Sequence, residues 1–131
     1  DVYKRQLQND ATHVEGEWYI GMTQYRISIN EDGETEGHYV VLFGVDDGEQ
    51  MHFDNTNTGN QYQVYSTVFQ CMREFASTRQ VGGFVFEAND KGRQSLYRRF
   101  VQKFLPKWTL SDFGNVLVIE PPGEAGDSNP Q

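Results

Sequence analysis

The chain has 131 residues, a formal net charge of −8 and an ordinary share of apolar and aromatic side chains. That length supports one domain with one core, and no apolar run approaches the length of a membrane-spanning helix. The single cysteine, Cys71, excludes an internal disulfide and fits a reducing compartment such as a cytoplasm.

The first six residues, Asp1-Val2-Tyr3-Lys4-Arg5-Gln6, coincide with what one reading frame of a common transposon-end sequencing adapter encodes. They are expected to be foreign, with the native chain beginning near Leu7 and its true N-terminus missing. The other reading is a genuine segment that matches by chance. From Leu7 to Glu15 the chain is polar and without a clear period, which predicts a frayed entry or the remnant of a helix.

Strands follow. Tyr25, Ile27 and Ile29 alternate with Gln24, Arg26 and Ser28, which is the period of a strand with one buried face. Gly21 marks a bend that makes Trp18 to Met22 a separate short strand. Asp32-Gly33 is a hairpin signal, because glycine tolerates the positive φ of a tight turn. His38 to Val45 is almost wholly apolar and reads as a central strand, and Gln50 to Asp54 as the next strand of the meander.

The organising stretch is Gly59 to Leu105. Val64, Tyr65, Val68, Phe69, Met72, Phe75 and Ala76 form one helical stripe. Gly82 to Ala88 is a short apolar run entered through two glycines, which predicts a buried strand. Leu96, Tyr97, Phe100, Val101, Phe104 and Leu105 make one face of a second helix, which Pro106 stops. Trp108 to Asp112 and Asn115 to Glu120 predict a closing hairpin turned at Phe113-Gly114. Pro121 to Gln131 is expected to be a disordered tail, which leaves 7–120 as the domain. The expected class is α/β in the α+β sense. A mostly antiparallel twisted sheet carries two main helices, in the order β-β-β-β-α-β-α-β-β.

The polar turn Asn55 to Asn60 enters the first helix and points free backbone N–H groups at one spot, where a pyrophosphate fits. A plain capped turn is the alternative. Tyr97, one turn past Arg93, is a candidate general acid or else a core phenol. Glu87, at the end of the buried strand, is a candidate catalytic carboxylate or a partner of Arg93 or Lys91. Cys71 is a small helix residue rather than a catalytic thiol, since no histidine lies nearby in sequence. His13, His38 and His52 have no zinc-ligand spacing, so no metal is expected. Charge is asymmetric. Asp10 to Asp54 holds eleven carboxylates and one base, Arg26, whereas Lys91 to Lys107 holds six bases and no acid. A protein or nucleic-acid partner would meet Arg98, Arg99, Lys103 and Lys107.

Two resemblances rest on these residues. Thr58-Gly59, Val64 to Val68, Phe84 to Ala88, and Arg93, Leu96, Tyr97 and Phe100 form a pattern that resembles small proteins of tailed bacteriophages. The order of elements resembles the GNAT N-acyltransferase fold. That resemblance implies acetyl-CoA as acyl donor and a small-molecule or protein amine as acceptor. It implies that Thr58, Gly59, Asn60 and Gln61 hold the phosphates and that Tyr97 protonates the departing thiolate; Arg93, by its charge, is a further candidate for the phosphates. Where the GNAT turn has Arg or Gln this chain has Thr56, and where it has a second small residue this chain has Gln61.

Overall fold

The computed structural model describes residues 3–9, 13–46, 51–52, 61–87, 91–114 and 116–122. In chain order these form β1 (Tyr3–Asn9), β2 (His13–Ile20), β3 (Thr23–Glu31), β4 (His38–Asp46), β5 (Met51–His52), α1 (Gln61–Thr78), β6 (Gly83–Glu87), α2 (Lys91–Phe104), β7 (Thr109–Asp112) and β8 (Val116–Glu120). The strands build one sheet in the order β1-β2-β3-β4-β6-β8-β7, with β5 paired to β4 beside that path. Every pairing is antiparallel except β4 with β6. The expected α+β class, the two helices and the closing hairpin are all present.

Two local expectations are corrected. Leu7 to Asn9 and His13 to Glu15 are strand rather than a frayed entry or a helix remnant, because Tyr3–Asn9 pairs with β2 from Tyr3↔Tyr19 to Asn9↔Val14, with a register shift between Gln6 and Gln8. An edge strand of sequence YKRQLQN carries no alternating apolar face, so its ladder of backbone bonds leaves no hydrophobic period to read. The β3–β4 turn is also longer than the Asp-Gly pair suggests. Asp32 N–H donates to the His38 carbonyl at 2.7 Å, and the positive φ, 82°, falls at Gly37 rather than Gly33. Gly21, with φ 63°, sits in the tight β2–β3 turn as expected of a bend.

Parallel pairing of β4 and β6 requires a crossover, and α1 supplies it. Helix α2 then crosses from β6 over β8 to β7. Two crossovers of the usual right hand moving the same way across a sheet place both helices on one face. Ring contacts show that face. From α1, Phe75 meets Tyr39 at 4.8 Å and Phe69 stacks on Phe86 at 5.9 Å. From α2, Tyr97 meets Phe86 at 4.8 Å. Phe69, Phe84, Leu117 and Ile119 are fully buried there. Cys71 is half-buried and packs against this core.

The opposite sheet face carries no helix among the described residues. Only three residues join β1 to β2, too few for one. On β2 and β3 this face is a polar network. Gln24 Nε2 donates to Glu17 Oε1 at 2.6 Å, Asn30 Nδ2 donates to Ser28 Oγ at 2.7 Å, and His13 bonds Asn30. At the lower end His38 Nε2 lies 3.4 Å from Glu120 Oε2, and its ring covers Gly83. A Cβ on Gly83 would stand 2.7 Å from that ring, so glycine is what lets the histidine lie flat on the sheet.

Candidate functional site

Both helices begin at the carboxyl ends of the parallel strands, where α/β sheets place their ligands. Strands β4 and β6 pair only at His38↔Gly83, Tyr39↔Phe84 and Val40↔Val85. Beyond Val85, β6 runs on to Glu87 without pairing to β4, and the two strands part. The edge of β4 opposite β3 is taken up again by β5, at Val45↔His52 and Asp46↔Met51. The stretch Val41 to Gly44 therefore has no strand on this edge among the described residues. An edge of β4 with no paired strand among the described residues thus lies beside the positive ends of two helix dipoles.

Behind the parting lies an aromatic wall. Phe43 meets Tyr65 at 5.3 Å and Phe86 at 6.4 Å, both edge-on. Tyr97 closes this wall from α2, 5.5 Å from Tyr65. The candidate acid thus abuts the site from its helix side. It is 1% exposed, so it is also a core residue. Glu87, Gln61 and Arg93 fall at the end of β6 and in the first turns of α1 and α2, and their side chains lie outside the described part. Thr58, Gly59 and Asn60 lie outside the described residues altogether. By backbone position, then, Glu87, Gln61 and Arg93 converge on one end of the sheet, and Tyr97 joins them one turn deeper.

One feature had no counterpart in the sequence reading. A groove of about 750 Å³ runs between α1 and α2, lined by Tyr62, Leu96, Arg99, Phe100, Gln102 and Lys103. Tyr62, the second residue of α1, is 52% exposed. Lys103 donates a hydrogen bond to its hydroxyl. That bond sets the ammonium beyond the hydroxyl, so its 4.9 Å from the ring centroid is an edge distance and not a position over the ring face. One ring face tilts toward Phe100 at 5.4 Å. The clue in the sequence was an aromatic at a helix start that does not belong to the apolar stripe.

The hydrogen bond from Lys103, and secondarily its charge, hold the Tyr62 phenol below its ordinary value of 10.0. A folded value below the unfolded one means that any stabilisation is complete only above the unfolded value and is lost as pH falls through the folded one. Ultraviolet titration is expected to show one tyrosine ionising early, and Lys103→Ala is expected to move it back up.

Among the described residues no group of three or more His, Cys, Asp or Glu side chains could hold a metal ion. No helix among them is long and apolar enough to cross a membrane.

No protein-family model matches the chain, and no curated protein matches it. Among solved structures, the fold is similar to the crystal structure of an acetyltransferase of the GNAT family from Streptococcus pneumoniae. The identity is 6% and the TM-score 0.46, over 85% of this chain. The chain spans 66% of that neighbour's length. A likeness of that degree concerns the path of the chain and says nothing of substrate or activity.

Proposed function

We propose that the chain is a diverged acyl-CoA-dependent N-acyltransferase domain of bacteriophage origin, acting in the cytoplasm of a bacterial host. The observation that carries this reading is the parting of β4 and β6 after three parallel pairs, with two helix N-termini and Tyr97 gathered at the parted end. In this reading acyl-CoA supplies an activated acyl group to an amine. The backbone N–H groups of Thr58, Gly59, Asn60 and Gln61 are assigned to its phosphates. Arg93 adds charge beside them. Glu87 takes the proton that the amine loses on forming the amide bond. Tyr97 gives its phenolic proton to the sulfur as the carbon–sulfur bond breaks.

Calorimetric titration of the full chain with acetyl-CoA tests the reading. Micromolar binding that disappears in Gly59→Glu is expected, since a carboxylate at the turn repels phosphate and fills the approach. No heat at millimolar ligand, or full affinity in Gly59→Glu, overturns the phosphate-turn assignment.

A second reading has its own observation. Arg98, Arg99, Lys103 and Lys107 are all exposed, and α2 contains no acidic residue. In this reading the domain is a non-enzymatic accessory protein that binds an acidic partner through the outer face of α2.

A further inference from the structure

We propose that the groove between α1 and α2 binds single-stranded nucleic acid, with the Tyr62 ring as a stacking platform and Arg99 and Lys103 as phosphate contacts. The inference rests on the binding reading of α2 and is independent of acyl transfer.

The groove combines cations with aromatic surface in one place. Arg99 and Lys103 form its charged side, while Phe100 and Leu96 form its apolar floor. Its volume lies within the range of clefts that take a ligand of nucleotide size. Tyr62 is one of the few large apolar side chains exposed among the described residues, and it stands in this groove. With one ring face turned toward Phe100 and the Lys103 ammonium at its rim, the other face is the exposed one.

The cation spacing suits a phosphate chain. Arg99 and Lys103 are four residues apart on one helix, about 6 Å along the axis, which brings them to the same side at the pitch of an extended strand's phosphates. Arg98, next to Arg99, and Lys107, just past the end of α2, are also exposed. None of the described residues that line the groove is a carboxylate.

Nucleic acid is favoured over an acidic peptide because a peptide carboxylate uses the cations and leaves the ring and its apolar floor idle. A base above Tyr62 with phosphates on α2 uses both, and this is the pairing by which proteins hold single strands without sequence preference. A duplex hides its base faces in the stack and cannot use the platform. The rest of the chain carries the net negative charge, which repels a long duplex and confines attraction to this strip.

Fluorescence anisotropy with a short fluorescein-labelled oligothymidylate tests the proposal, with a labelled poly-glutamate peptide in parallel. The oligonucleotide is expected to bind the full chain at low salt and to weaken as salt rises. Tyr62→Ala is expected to weaken it about 5- to 150-fold, and Tyr62→Phe, which keeps the ring, to stay near the unaltered chain. Arg99→Ala is expected to flatten the salt slope by about 0.7. Because Tyr62 and Arg99 are exposed, these changes leave the fold intact. Undiminished oligonucleotide binding in Tyr62→Ala overturns the proposal. Binding of poly-glutamate without the oligonucleotide also overturns it, while the basic-face reading survives. If neither probe binds at low salt, both fall and the acyl-transfer reading is untouched.

Discussion

Truncating Phe69 to alanine is expected to lower the unfolding free energy by about 3–5 kcal/mol. Phe69 is 0% exposed and joins three elements. From α1 its ring stacks on Phe86 of β6 at 5.9 Å and 9°, and on Phe100 of α2 at 5.7 Å and 24°. It also tilts against Tyr97 at 6.3 Å. Removing it opens a cavity walled by three rings that cannot all collapse inward, because two belong to different elements with their own backbone anchors. A domain of this size has about 5–15 kcal/mol to lose, so the variant should unfold at a much lower urea concentration. The control is Tyr62→Ala, at an exposed position on the same helix, expected to change stability little. A loss below about 1 kcal/mol for Phe69→Ala would mean that the helices do not converge on the sheet at this ring.

Replacing Tyr97 by phenylalanine separates its two roles. The change keeps the ring that packs against Phe86 and Tyr65 and removes only the hydroxyl. Its cost in stability is that of at most one hydrogen bond, about 0.5–1.5 kcal/mol. If the phenol protonates the departing thiolate, release of free CoA thiol in the presence of primary amines should fall about 10²- to 10⁴-fold. The urea midpoint should barely move. Thiol release equal to that of the unaltered chain would assign Tyr97 to the core alone. An exposure of only 1% makes this test decisive, because a proton donor so deep works only if a substrate atom reaches past Phe43 and Phe86.

The two helices were legible because their apolar stripes are dense. Of the α1 stripe, Val64, Tyr65, Val68, Phe69, Met72 and Phe75 are all buried. The strands of the sheet centre were legible for a related reason. Runs such as His38 to Val45 and Gly83 to Glu87 have no polar interruption to suggest a loop. The edge was not legible. β1 holds its place by backbone pairing to β2, and a polar sequence carries no mark of that. The turn at Gly37 was missed because Asp32-Gly33 is the stronger local signal, while the strand register decides where the left-handed residue falls.

Of the candidate site, the sequence determined the residue types and their placement on element ends. Glu87 ends a strand, Arg93 lies in a helix's first turn, and Tyr97 belongs to an apolar stripe, all by local spacing alone. What only the tertiary structure decided is which elements meet. The parallel β4–β6 register, the parting after Val85 and the union of Tyr62 with Arg99 and Lys103 join residues far apart in the chain. Periodicity acts over a few residues and fixes which face of an element is apolar. The partner of that face follows from crossover direction and packing, which involve the whole chain at once.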